Sequence, residues 1–265
     1  MIELGGIPFA IGPSDRLSAD DRARLAVLGR PAASGEPFAI TLVGQALEDI
    51  PAPPPGPVAL RWQGGRLRLD HHLFQAEVDP AGRRASLFRR EPGTYPLDVV
   101  LRTSLLSRLP LDDGLPLHAA GVVTPRGAIA FFGPSGAGKS TLAATSRDPV
   151  LSDELVAVVR REKYRLARSG FWGELGERAR VEEGPLVALV EIAKGPAYAL
   201  DGLATPEAVR RLAHATAVPF APPLWEAALA NIRAITRAVP VFRMTWSPRE
   251  SPWERLSGDL QSLSQ

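Results

Sequence analysis

The chain contains no cysteine. That absence excludes disulfides, thiolate catalysis and zinc–cysteine sites, and it is compatible with a reducing compartment. Net charge is also scarce. Thirty-one basic and 29 acidic residues leave +2, too little to draw the protein to nucleic acid or to a membrane surface. No apolar run approaches the length of a membrane-spanning helix. The first residues include Glu3 and lack a basic stretch ahead of an apolar core, so no secretory signal is expected. What is present is an ordinary globular composition, 45% apolar and 23% charged over 265 residues. That suffices for one large core or two smaller ones. A cytoplasmic protein with access to ATP is the expectation these absences leave.

Against that background one motif stands out. Gly133-Pro134-Ser135-Gly136-Ala137-Gly138-Lys139-Ser140-Thr141 fits the phosphate-loop pattern G-x-x-x-x-G-K-[ST]. Its glycines let the backbone curl so that N–H groups face phosphate oxygens. Lys139 can reach the β- and γ-phosphates of ATP, and Ser140 can offer a hydroxyl to Mg²⁺. The context fits as well. Ala128 to Phe132 reads as a buried strand entering the loop, and Lys139 to Thr145 as a helix leaving it, limited by Pro149. The bland reading is a flexible glycine turn.

Residues 1–96 read as a β-rich N-terminal domain. Phe38–Val43 forms an expected strand. Val58–Trp62 with Arg66–Leu69, and Leu73–Val78 with Arg84–Phe88, read as hairpins with one wet face. The Pro51–Pro57 run reads as a stiff connector. Residues 97–265 read as a second, α/β domain, opened by a joining helix over 97–109. Its expected strands are Leu117–Val123, Ala128–Phe132, Val150–Val159, Leu186–Ile192 and Val241–Trp246. Helices are expected from a capping Thr205 to Ala215 and from Leu224 to Val239.

Asp153 and Glu154 follow the loop helix, where a phosphoryl-transfer site needs an acid at Mg²⁺ and a second to receive the acceptor's proton. Two acids in an apolar strand are costly unless they face such a site. The competing reading is a strand ending at Ser152 with both acids in a solvated turn. Leu256-Ser257-Gly258-Asp259 superficially resembles the signature loop of transport ATPases, but no acid-bearing strand follows it. Of the four histidines, His71 and His72 should point to opposite faces of a strand and make a poor metal pair. His214 reads as a helix-surface residue. His118 precedes Ala119-Ala120-Gly121 and could lie beside the loop strand. Arg66, Arg68, Arg83, Arg84, Arg89 and Arg90 make the first domain locally basic, as a solvated sheet face or as a docking surface for an acidic peptide.

Four pieces in this order, Leu117-His118-Ala119-Ala120-Gly121-Val122, Gly133–Thr141, Leu151-Ser152-Asp153-Glu154 and Ser169-Gly170-Phe171-Trp172-Gly173-Glu174, resemble the HPr serine kinase/phosphorylase family. The resemblance is closest to its shorter relatives associated with lasso- and other modified-peptide biosynthesis, and it covers about residues 97–246. It implies a phosphoenolpyruvate-carboxykinase-like fold with a mixed, twisted sheet. It also implies ATP- and Mg²⁺-dependent transfer to a serine-type hydroxyl. By position, Lys139 would hold phosphates and Ser140 the metal, with Asp153 and Glu154 also at the metal. Asp153 would take the hydroxyl proton, and His118 would sit beside the γ-phosphate. The sequence departs from the HPr kinases at Thr141, where they have Glu, at Glu154, where they have a second Asp, and in lacking their phosphorylase signature. The expected acceptor is therefore a peptide or small protein, such as a ribosomally made precursor, rather than HPr. Other maturation enzymes and further copies of the chain are expected partners. A small-metabolite kinase and a non-catalytic nucleotide-binding module are the competing functions.

Overall fold

The computed structural model describes residues 1–32, 34–44, 52–90, 93–176 and 181–262. The chain is a mixed α/β protein with two mixed sheets and few helices. It divides into two compact units: Met1–Asp112 with Val218–Ala227, and Asp113–Ala217 with Ala228–Gln265. The boundary therefore falls after the helix that the sequence suggested as a joint.

The first unit contains β1 (Ile2–Leu4), β2 (Ile7–Gly12), α1 (Ala19–Leu28), β3 (Arg30–Pro31), β4 (Phe38–Val43), β5 (Ala59–Gln63), β6 (Arg66–His71), β7 (Phe74–Asp79), β8 (Arg84–Arg89) and α2 (Thr94–Arg108). Its eight strands run in the order β3-β1-β2-β4-β8-β7-β6-β5, parallel at β2·β4 and β4·β8. Alternation decides the faces. Leu67, Leu69, Phe74, Ala76, Val78, Ala85 and Leu87 are buried, and α2 packs on β7 and β8. Their sequence neighbours form the wet face, where Arg66 and Arg68 pair with Glu77 and Arg84 pairs with Asp79. Arg83 reaches Asp112, and Arg89 reaches the fully buried Asp21, itself part of a Ser18 capping box. These arginines have carboxylate partners within the unit, which weakens the acidic-peptide docking reading. The expected opposition of His71 and His72 does not hold. His71 ends β6 while His72 lies in the following turn, and their rings stack at 4.1 Å. Pro51 lies outside the described residues, and Ala52–Pro57 carries neither helix nor strand.

The second unit is built on β9 (Leu115–Leu117), β10 (Ala119–Thr124), β11 (Gly127–Phe132), α3 (Lys139–Ala144), β12 (Val150–Ser152), β13 (Val156–Arg160), β14 (Tyr164–Arg168), β15 (Glu183–Lys194), β16 (Ala199–Gly202), α4 (Thr205–Ala215), most of α5 (Pro222–Ala238), β17 (Val241–Trp246) and α6 (Trp253–Ser262). Two expected strands are each divided. Leu117–Val123 breaks at His118 into β9 and β10, and Val150–Val159 breaks at Asp153–Leu155 into β12 and β13. The halves pair with different neighbours: β10 with β11 and β12, β9 with β13. Twelve-residue β15 joins the two parts, lying against β14 at its start and between β11 and β17 at its end. The α4 cap position is Ala204, not Thr205, and no side chain caps it.

One face of the sheet is covered by α3 and α6. There Ala120, Ile129, Phe131, Leu142, Ala143, Val190, Ile192, Met244, Trp246 and Leu256 form one apolar core. α6, which the sequence reading did not anticipate, is fastened at both ends. Trp253 Nε1 donates to Thr145 Oγ1, and the Tyr198 hydroxyl donates to Asp259. Burial, helped by that bond, pushes the Tyr198 hydroxyl well above its ordinary pKa. α4 is tied over the opposite face by Arg211, which donates to both oxygens of Glu191 at 2.7 and 2.5 Å. No helix among the described residues is long and apolar enough to cross a membrane.

Candidate functional site

Strand direction assembles the site. β10 runs antiparallel to β11 and to β12, so β11 and β12 run the same way and end at the edge where β10 begins. The phosphate-loop pattern starts immediately after β11. His118 immediately precedes β10, whose first residue pairs with Phe132 at the end of β11. Asp153 and Glu154 immediately follow β12. Three segments scattered over nearly forty residues of sequence thereby meet at one sheet edge.

The loop has the conformation its glycines permit. Gly136 and Gly138 have φ of 76° and 97°, in the left-handed region. Gly138 has a second reason to lack a side chain, since a Cβ there would come within 3.0 Å of the Trp246 ring. Lys139 opens the six-residue α3 and is 7% exposed. Its ammonium donates to the carbonyls of Gly133 and Pro134 at 3.0 and 3.3 Å. Burial pulls its pKa below the ordinary value, and the nearby Glu154 carboxylate partly restores it. A buried cation held only by carbonyl dipoles is the condition an anion would relieve. Ser140 and Thr141 follow it on α3, neither fully buried, and the loop tip Pro134–Gly136 is exposed.

The two acids separate in role. Asp153 is 2% exposed, and its carboxylate oxygens accept the backbone N–H groups of Gly173 and Leu175 at 2.9 and 3.2 Å. Ser152 Oγ donates to Phe171 O, and Ser169 Oγ donates to Leu155 O. These four bonds knit the 152–155 turn to a strap over 169–175. Gly173 must be glycine, because a Cβ would meet Asp153 Oδ2 at 2.9 Å. The Ser169–Glu174 piece of the sequence thus holds the acid turn in place. Glu154 is half-buried, and its carboxylate lies 3.8 Å from His118 Nδ1. Lys139, Glu154 and His118 are brought together, while Asp153 is engaged by the strap. In this structure the Asp153 carboxylate is buried, whereas Glu154 is the more accessible of the two acids. Neither alternative for the acids survives whole: the strand does end at Ser152, but the turn is not solvated.

Three further residues at this edge escaped the sequence reading. Lys194 and Trp246 end β15 and β17 as register partners, and Glu191 pairs with Phe132. Both strands run parallel to β11, so their ends share its edge. Parallel pairing of distant strands leaves no local mark in sequence. A largely apolar hollow of about 440 Å³, with Ile129, Val187, Phe242 and Leu256 in its lining, lies under α6 near the 124–127 turn, at the other ends of these strands. It is separate from the phosphate loop.

Among the described residues no group of three or more histidine and carboxylate side chains could enclose a metal ion. Ser140, Asp153 and Glu154 are the residues from which the sequence led one to expect metal ligands, and Asp153 already accepts two backbone N–H groups here. No protein-family model matches the sequence, and no curated protein is similar enough to count as a match.

Proposed function

We propose that the protein is an ATP- and Mg²⁺-dependent kinase of a serine-type hydroxyl on a peptide or small protein. The observation that carries this reading is the meeting of a buried Lys139, within a phosphate-loop pattern, with Glu154 and His118 at one sheet edge. The mixed sheet, with antiparallel β10 between β11 and β12, supports a phosphoenolpyruvate-carboxykinase-like fold for the second unit. The family resemblance of the four sequence pieces points the same way. Nothing described here requires a compartment other than the cytoplasm, where ATP is available.

In this reading Lys139 exchanges the Gly133 and Pro134 carbonyls for the β- and γ-phosphates. Bound Mg²⁺, held by Ser140 and Glu154, would neutralise phosphate charge. The acceptor oxygen bonds to the γ-phosphorus as the bond to the ADP oxygen breaks. The acceptor's proton passes to the Glu154–His118 pair, in which His118 shares the charge that develops. Asp153 positions both through the 152–155 turn. Positioning and electrostatics supply most of the acceleration, as expected of phosphoryl transfer. The His118 and Glu154 side chains are 44% and 30% exposed. That openness favours a peptide acceptor over a small metabolite, which is usually enclosed.

The test is mass spectrometry of candidate precursor peptides incubated with the protein and Mg-ATP, with free serine and nucleosides in parallel. Gain of one phosphoryl group on a peptide hydroxyl is the expected result. Faster transfer to the small alcohols would make it a metabolite kinase. Tight ATP binding with neither transfer nor hydrolysis would leave a nucleotide-binding module and end the kinase reading.

A further inference from the structure

The phosphate loop has two flanks. On one side lie β10 and β12, with His118 and Glu154. On the other lie β15 and β17, which end at Lys194 and Trp246. Two strand spacings on each side amount to about 10 Å, comparable to the length of a triphosphate. A nucleotide gripped at Lys139 with its γ-phosphate toward Glu154 must therefore send its nucleoside end out over the opposite flank.

That flank is chemically prepared. Lys194 alternates with Ile192 along β15 and so shares the face occupied by α3. Its Cε lies 3.7 Å from the position of a Cβ on Gly138, the last loop glycine. It is exposed, and no carboxylate among the described residues lies within ion-pair distance of it. Trp246 gives an independent indication. It is 1% exposed, yet its indole N–H has no hydrogen-bond partner. Its ring carbon Cε2, bonded to that nitrogen, also lies 3.7 Å from the Gly138 Cβ position. A buried donor left unpaired beside an anion-binding loop is costly unless a ligand or water completes it.

We propose that Lys194 is a second phosphate-binding lysine, taking the phosphate next to the nucleoside of a bound nucleoside di- or triphosphate, with Trp246 beneath it. The assignment rests on the kinase reading for the direction of the nucleotide. It divides the loop into a transfer flank, Glu154 and His118, and a retention flank, Lys194 and Trp246.

The experiment is calorimetric titration of wild type, Lys139→Met, Lys194→Met and Glu154→Gln with Mg-ADP and with Mg-ATP. Lys194→Met should weaken both nucleotides by the same factor, about tenfold. Glu154→Gln, which removes a carboxylate proposed to hold Mg²⁺, should weaken both nucleotides with Mg²⁺ present and neither without it. Unchanged affinities in Lys194→Met, with binding lost in Lys139→Met, overturn the role of Lys194 and spare the kinase reading. Weakening of Mg-ATP alone puts Lys194 on the γ-phosphate and overturns the assigned direction. No binding of either nucleotide to wild type overturns both readings. Lys194 is exposed, so its variant should melt with wild type, separating lost contact from lost fold.

Discussion

The sheet face of the first unit and the loop edge of the second use charge in opposite ways, although the second unit has close ion pairs elsewhere, such as Arg165 with Glu183. In the first, guanidinium groups meet carboxylates at close range: Arg66 with Glu77, Arg24 with Asp98, Arg83 with Asp112, and Arg89 with the buried Asp21. The wet sheet face is a lattice of cross-strand pairs. At the loop edge of the second, the two lysines make no close carboxylate pair among the described residues. Lys139 has carbonyl oxygens, Lys194 has no carboxylate within reach among the described residues, and His118 and Glu154 stand 3.8 Å apart. Neutralised charge serves cohesion, whereas unmatched charge at a strand edge awaits something from solution. The number of arginines is therefore a poor guide to function here, and the number of unpaired cations a better one.

That contrast can be broken at the site first. Glu154→Gln should lower turnover by about 10²–10⁴ while the protein stays folded. Asp153→Asn should act mainly on stability, because an amide can accept only one of the two strap N–H groups. If Asp153→Asn abolished transfer in a protein with wild-type melting, the division of roles between the acids would be wrong. In the first unit the order reverses, with stability at stake and activity not. Asp21→Ala strands the Arg89 guanidinium and removes the capping box, and should cost about 3–5 kcal/mol in denaturant unfolding. A cost below about 1 kcal/mol would mean that the pair is incidental.

The unmatched lysine sharpens the comparison through pH. Lys139 in the folded, unliganded protein has a pKa below 10.5, which the unfolded chain regains. Below the folded value both states are protonated, and the fold bears the cost of the buried charge. As pH rises toward 10.5 the folded state releases its proton first, so stability rises relative to Lys139→Met. Denaturant midpoints of the two proteins against pH should diverge in that sense, and saturating Mg-ADP should erase the divergence. Parallel curves would mean that Lys139 is not desolvated. The smallest effect belongs to the wet face. Glu77→Gln should shift stability by less than about 1 kcal/mol, and less still in high salt.

Much of the fold was legible because it is written locally. The Gly64-Gly65 hairpin, the Phe38–Val43 strand, the 205–215 helix and the loop between strand and helix all follow from alternation, turn residues or spacing. α1 was also written locally, in Ser18-Ala19-Asp20-Asp21, a capping pattern not taken up by the sequence reading. The breaks at His118 and Asp153 were not legible. The first falls inside an apolar run, the second was offered by the sequence only as an alternative ending at Ser152, and each arises where the two halves join different neighbours. The role of Asp153 depends on a strap some twenty residues later, and that of Lys194 on parallel pairing of strands that begin far apart in sequence. Chemistry that depends on which strand lies beside which leaves no periodic trace.

The length of β15 carries a consequence of its own. Alternate residues of a strand face opposite sides, so Glu191 is committed to Arg211 and Lys194 to the loop by the odd count between them. One amino acid added or removed between them would put both on the same side, so that either the helix or the loop would lose its charged side chain. Length changes in the turn after Lys194 should therefore leave both contacts in place, whereas inside the strand only changes of two residues should do so.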